Sequence, residues 1–164
     1  YLFKGTVEEN LKMAKPDATK EEMEAVLQKV NLLGFLQTQD SLQTQLLEKA
    51  SNLSGGQCQR LVIARALLRT DSAVYIFDEA ASNIDVESEE LIMNVIHELA
   101  KTKTVLLISH RLANVVKSDK IYFLKDGEIK ESGKHDELMS QNGAYRHLYE
   151  SQMALENYGK GGVA

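Results

Sequence analysis

The segment Leu53-Ser54-Gly55-Gly56-Gln57 stands at the start of a predicted helix. The apolar positions of this helix are Leu61, Ile63, Ala64, Ala66, Leu67 and Leu68. Ser54 and Gln57 have the spacing of a capping box, in which each side chain accepts a backbone N–H of the first turn. The two glycines leave the other amides of that turn open to close approach, at the positive end of the helix dipole. The segment therefore predicts an anion site, although an ordinary glycine-rich helix start has the same spacing.

Two strand-sized apolar runs follow and end at polar residues. Val74-Tyr75-Ile76-Phe77 stops at Asp78-Glu79, and the run 104–108 stops at Ser109-His110. The predicted helix between them carries an apolar face formed by Leu91, Ile92, Val95, Ile96 and Leu99. A strand–helix–strand unit joins parallel strands that are buried on both faces, and its binding crevice opens at their carboxyl ends. The polar residues at the two strand ends are therefore predicted to form one site.

The residues before the glycine segment are predicted to be mainly helical. Thr19 and Glu22 have capping-box spacing, and an apolar stripe follows at helical intervals. The stripe consists of Met23, Val26, Leu27 and Val30. Gly34 is predicted to end this helix, and residues 36–52 to form loop and short helix.

The residues after the second run predict a hairpin and two helices. Lys125-Asp126-Gly127 is typical of a tight turn between strands at 121–124 and 128–131. Residues 135–158 predict two helices that are separated near Asn142-Gly143.

Composition narrows the class of protein. The 164 residues contain 19 Lys plus Arg against 24 Asp plus Glu, a net charge of −5. No basic stripe of the kind that binds nucleic acid occurs. No apolar run approaches the ~18 residues that cross a bilayer. The single Cys58 excludes an internal disulfide and agrees with a reducing compartment.

The motifs, taken in order, resemble those of the ATP-hydrolysing domain of ABC transporters. Residues 53–57 with Gln59-Arg60 resemble the signature sequence, and 74–79 the Walker B strand. Ser82-Asn83-Ile84-Asp85 resembles the D-loop, and His110 the switch histidine. Residues 2–11 resemble the segment after the Q-loop. The tail from Gly133 resembles the end of exporter-type members.

The resemblance covers residues up to about 158 and implies an α/β fold. It implies a helical subdomain over 1–70 and the distal half of a RecA-like P-loop NTPase parallel sheet over 71–158. A C-terminal β-hairpin and helices complete this part, and 159–164 are expected to fray. The phosphate-gripping Walker A pattern occurs nowhere in these residues, and the Q-loop glutamine is expected before Tyr1. The 164 residues alone are therefore expected not to hydrolyse ATP.

The resemblance also implies roles for individual residues. Two such domains pair head to tail, and the signature of each faces the ATP held by the other. The residues implied to hold the γ-phosphate of that ATP are Ser54, Gly55, Gly56 and Gln57. Asp78 is implied to hold Mg²⁺ through water, Glu79 to polarise the attacking water, and His110 to contact both water and phosphate. Asp85 is implied to lie at the dimer interface.

The function implied is ATP hydrolysis that drives transport, in the export direction, at the cytoplasmic face of a membrane. The implied partners are a second ATPase domain and a transmembrane domain, with no nucleic acid. Two alternatives remain: a soluble ABC-class ATPase acting on DNA or ribosomes, and a non-catalytic protein with the same fold.

Other residues with chemical potential favour ordinary roles. Cys58, near a helix start, is expected to be a neutral packed thiol rather than a reactive one. The histidines expected to be solvated surface are His97, His135 and His147. The acidic residues expected to form an exposed first helical turn are Glu87, Glu89 and Glu90.

Overall fold

The computed structural model describes residues 1–82 and 84–160, with side chains of the last helix described through Leu155. The chain forms two compact units, 1–106 and 107–164. The predicted subdomain boundary near residue 70 stays a prediction. Among the described residues, no helix is long and apolar enough to cross a membrane.

The first unit begins with short helices around a two-stranded antiparallel sheet and ends with a strand–helix–strand segment. Its elements are β1 (Gly5–Thr6), α1 (Val7–Lys12), α2 (Lys20–Lys29), α3 (Leu33–Gln37), β2 (Gln45–Leu46), α4 (Gly55–Leu67), β3 (Val74–Asp78), α5 (Val86–Ala100) and the start of β4 (Thr104–Ile108). Single 3₁₀ turns occur at Ser41–Gln43 and Glu48–Ala50. The prediction of loop and short helix over 36–52 is confirmed except for β2, which pairs with β1.

Helix α2 has the predicted start and a different end. The Thr19–Glu22 capping box is present, and the predicted apolar stripe is buried. The prediction that Gly34 ends the helix is wrong, because Gly34 lies inside α3. Asn31 ends α2 instead, with a positive φ of 50°. Its N–H and that of Leu32 bond back to carbonyls of the last turn, which closes the helix as a Schellman motif.

The turn after β2 places two non-glycine residues in the left-handed region. Lys49 has φ 56° and Ala50 has φ 52°. Ala50 is buried and its carbonyl accepts the N–H of Leu53 at 2.9 Å, so this turn leads directly into the start of α4. Lys49 is exposed, so burial of its side chain does not offset the strain of its left-handed backbone.

Replacing Lys49 by glycine should therefore stabilise the fold. We expect Lys49→Gly to raise the free energy of unfolding by about 1 kcal/mol, because glycine adopts positive φ without strain. Glu48→Gly in the same turn is the control, since Glu48 has no positive φ and should only add flexibility to the unfolded chain. Urea unfolding measures both, and a destabilised Lys49→Gly would contradict the prediction.

Strands β3 and β4 occur where predicted and form one two-stranded sheet, joined through the 15 residues of α5. The prediction that both faces are buried is wrong for the described residues. Tyr75 and Phe77 are buried, whereas Val74 and Ile76 on the other face are 54% and 66% exposed. A sheet with two apolar faces needs a packed layer on each face. The described residues cover only the face that carries Tyr75 and Phe77.

The second unit contains the end of β4, the hairpin β5 (Ile121–Lys125) and β6 (Glu128–Gly133), then α6 (His135–Gln141) and α7 (Ala144–Lys160). The predicted hairpin is confirmed, with Asp126 at φ 54° and Gly127 at φ 77° as a type I′ turn needs. The break between the last two helices is also confirmed, at left-handed Asn142. The core contains Leu112, Val115, Ile121, Leu138 and Tyr145. The prediction that the tail frays from residue 159 is wrong for 159 and 160, which belong to α7, and 161–164 lie outside the described residues.

Candidate functional site

The start of α4 is built by a reciprocal capping box. Ser54 precedes the helix in extended conformation, and its Oγ accepts the Gln57 N–H at 3.2 Å. The Ser54 N–H donates to Gln57 Oε1 at 2.8 Å. Ser54 and Gly55 are both exposed. The box therefore fixes the first turn with Ser54 and Gly55 open to solvent at the positive end of the helix, whereas Gly56 is buried.

Gly56 lies where the starts of α4 and α5 meet. A Cβ on Gly56 would lie 2.5 Å from Ser88 Oγ and 3.0 Å from Ser88 Cβ. It would also lie 3.2 Å from Oδ2 of Asp85, the residue that caps α5. Gly56 therefore permits close helix packing, a role that the sequence motif did not reveal. Ser88 is a contact that sequence reasoning missed, because it depends on a tertiary approach between two helices.

This contact predicts unequal effects of adding a methyl group to two glycines. We expect Gly56→Ala to lower the free energy of unfolding by roughly 1–3 kcal/mol, because buried Ser88 must move. Gly34→Ala is the matched control, since no atom lies within 4 Å of its added Cβ and alanine favours α3. Thermal unfolding of both variants checks this, and equal effects would contradict it.

Asp85 is held at this junction by hydrogen bonds and charge. Its Oδ1 accepts the Ser88 N–H at 2.8 Å. The Ser88 amide, then its hydroxyl and more weakly the Arg60 guanidinium, hold the pKa of Asp85 below its usual value. Arg60 also donates to the Gly56 carbonyl at 3.3 Å and to the Asn31 carbonyl at 2.9 Å. The end of α2, the start of α4 and the start of α5 are thus linked. Asn83, in the predicted D-loop, lies outside the described residues.

The acidic pair lies at the carboxyl end of β3. Asp78 is the last strand residue and Glu79 follows it, both exposed. Glu79 has φ 48°, a left-handed conformation that is unusual for a residue with a side chain. Its carbonyl accepts the Ser82 N–H at 3.0 Å, which turns the chain sharply after the strand. Such strain is commonest where a side chain must be held in a functional direction.

His110 belongs to the second unit, two residues after β4, and is exposed. Its carbonyl accepts Gln152 Nε2 at 2.8 Å. Ser109 Oγ accepts the Arg111 N–H at 3.1 Å. The backbone on both sides of the histidine is therefore held by side chains.

Of three further residues with an expected role, Cys58 has that role, and His135 and Glu89 do not. The neutral thiol is confirmed, because partial burial raises the pKa of Cys58. His135 is not solvated surface: its Nδ1 lies 2.9 Å from the Tyr145 hydroxyl, and its ring packs on Tyr149. Glu89 is not exposed either, with 5% exposure. It shares a helix face with Ile92, at a spacing of three residues, and is buried with it.

The chain is similar to known proteins over most of its length. The sequence profile of the family described as ABC transporter matches residues 2–82. An uncharacterized ABC transporter ATP-binding protein of Haemophilus influenzae is 52% identical over 156 residues, 95% of this chain and 28% of the relative. The chain belongs to the ABC transporter ATP-binding family. The segments that resemble the signature, the Walker B strand and the switch histidine lie at the start of α4, at the end of β3 and directly after β4.

Further relatives of this ABC domain are exporters and flippases. The ATP-dependent lipid A-core flippase of Mannheimia succiniciproducens is 44% identical over 154 residues, 93% of this chain and 26% of that protein. A solved bacterial Atm1-family ABC exporter with ATP bound has a TM-score of 0.84 and 30% identity, covering 92% of this chain and 26% of that one. The chain thus spans about a quarter of the length of these relatives.

Proposed function

We propose that this chain is part of an ATP-hydrolysing domain that powers export across a membrane. The observation that carries the proposal is the acidic pair Asp78-Glu79 at the carboxyl end of β3, with Glu79 held in left-handed conformation. A carboxylate fixed beside a second one suits a group that must act on a water molecule next to a metal-bound phosphate. The export direction is supported by relatives named as a flippase and an exporter.

The signature helix would contribute to an ATP bound mainly by a second copy of the domain. The hydroxyl of exposed Ser54 and the amide of exposed Gly55 suit the terminal phosphate of that ATP, whereas Gly56 is buried against Ser88. Gln57 would act indirectly, because its side chain holds the Ser54 N–H. Asp85 would lie at the contact between the two domains, close to the signature of its own chain.

The described residues suit a Mg²⁺ ion that is bound jointly by protein, water and nucleotide phosphates, and not one that protein ligands enclose alone. The described residues contain no group of three or more His, Cys, Asp or Glu side chains that could hold a metal. Mg²⁺ in nucleotide sites is bound by one or two carboxylates, water and substrate phosphates, and exposed Asp78 can supply one such ligand. When bound, the ion would neutralise charge on the phosphates. Asp78 would orient one of its water ligands.

Glu79 and His110 would have separate roles in the hydrolysis step. Glu79 would accept a hydrogen bond from the attacking water and draw proton density from it. His110 would contact the terminal phosphate and the attacking water. Phosphoryl transfer depends mainly on positioning and charge neutralisation, so a few groups on rigid strand ends suffice.

The proposed partners are a second ATPase domain and a transmembrane domain at the cytoplasmic face of a membrane. The test uses the complete protein in lipid vesicles, with phosphate release measured in Mg²⁺ and in excess chelator. We expect hydrolysis only with Mg²⁺, and equal rates with and without duplex DNA. Hydrolysis that required DNA or ribosomes would favour the soluble ABC-class alternative, and no hydrolysis would favour a non-catalytic protein.

A further inference from the structure

The backbone around His110 is bridged by one amide side chain from α7. Gln152 Nε2 donates to the His110 carbonyl at 2.8 Å, and Gln152 Oε1 accepts the Leu112 N–H at 2.9 Å. Both distances are those of good hydrogen bonds. The two contacts cross 42 and 40 residues of sequence. The Gln152 side chain therefore holds two backbone groups, the His110 carbonyl and the Leu112 N–H.

Gln152 is held in place by the packing of α7. Tyr145 is fully buried, and Tyr149 and Gln152 follow it at helical intervals of four and three residues on the same face. The start of the helix is fixed by Glu131, whose carboxylate accepts the Ala144 N–H at 2.6 Å. The axial position of α7 is thus set at its first turn, and Gln152 reaches the segment 110–112 two turns later.

The chemistry of the contact requires a primary amide of this length. One group must donate to a carbonyl and accept from an N–H at the same time, which an amide does and a carboxylate or thioether does not. Ser109 supports the same segment from within, because its hydroxyl accepts the Arg111 N–H at 3.1 Å. Leu112 itself is buried in the core of this unit, so the segment is anchored at its far end as well.

We propose that Gln152 is a positioning residue for the switch histidine, one that sets the direction of the His110 side chain by holding its backbone. This inference rests on the proposed role of His110 in ATP hydrolysis. Gln152 touches neither nucleotide nor water in this role, so it should act on turnover and not on ATP affinity. A misplacement of about 1 Å in a positioned group can cost up to about a hundredfold in rate.

The test compares Gln152→Met with His147→Ala in the complete protein. Methionine keeps the length and apolar body of the side chain and removes both hydrogen bonds. His147 is an exposed residue of the same helix and serves as the control. We expect Gln152→Met to lower kcat for ATP hydrolysis about tenfold, with KM for ATP changed less than about twofold. Hydrogen exchange at the Leu112 amide should become about tenfold faster, because a hydrogen bond worth roughly this factor is lost.

The outcomes separate this inference from the proposed function. A kcat within about twofold of wild type, or an unchanged Leu112 exchange rate, would overturn the positioning role. A fall in kcat accompanied by an equal rise in KM and a lower melting temperature would overturn it as well, because that pattern is a general structural loss. If the wild-type protein hydrolysed no ATP, the proposed function would fail and a role in turnover with it. Faster Leu112 exchange would then still support the anchoring contact alone.

Discussion

Glu79→Gln in the complete protein should bind ATP with normal affinity and lose nearly all turnover. Glu79 follows the last residue of β3 and is fixed by its left-handed backbone, so the substitution changes chemistry and not placement. The amide keeps the size of the carboxylate and most of its hydrogen bonds but lacks its charge and basicity. Only the step that needs a base on the attacking water should suffer, by about 10²–10⁴-fold. Phosphate release and ATP binding, measured on the same preparation, check the two halves of this expectation.

The control for this variant is Glu87→Gln, which removes the same charge from an exposed position in the first turn of α5. It should leave turnover unchanged. Glu79→Gln should also accumulate as the ATP-bound pair, because the complex forms and does not react. If Glu79→Gln kept more than about a tenth of normal turnover, the base would have to lie elsewhere, and His110 would be the next residue to test.

The sequence predicted the elements whose signals are local. Capping boxes at Thr19 and Ser54, the turn at Asp126-Gly127 and the two strands all depend on residues within a few positions of each other. The prediction for the end of α2 is wrong because asparagine also adopts the left-handed conformation that glycine favours. Both Asn31 and Gly34 are residue types that suit a helix end. Arg60 donates a hydrogen bond to the Asn31 carbonyl, and this tertiary contact cannot be seen in the local pattern.

The tertiary contacts of the candidate site could not be predicted from spacing. The motif has glycine at position 56 whether the absent side chain makes room for a phosphate or for Ser88. Only the packing of α4 on α5 shows that Ser88 lies in this space. Gln152 is a half-buried polar residue on the helix face that carries Tyr145 and Tyr149, and its partners are backbone groups about forty residues away. A polar residue on a buried stripe is a usable signal, but it does not identify the partner.

Ser54→Arg should separate pairing from ATP binding. Ser54 is exposed at the start of α4, where the proposed mechanism places the terminal phosphate of the second domain's ATP. A long cationic side chain there would fill that position, while the ATP held by the domain's own phosphate loop would be unaffected. We expect ATP to bind normally, turnover to fall below a hundredth of wild type, and no stable pair to form. Size measurements on the complete ATPase domain with Mg-ATP should show the Glu79→Gln variant as pairs and the Ser54→Arg variant as monomers.

Loss of the helix cap is the other effect of Ser54→Arg, and a second capping box in the chain controls for it. Thr19 caps α2 through the same reciprocal bonds with Glu22, so Thr19→Arg removes an equivalent cap away from the signature. Both variants should lose about 1 kcal/mol of stability. Only Ser54→Arg should lose pairing, because only that side chain would enter the proposed interface. If Thr19→Arg also ran as a monomer with Mg-ATP, cap loss would explain the defect, and the proposed phosphate contact of Ser54 would lose its support.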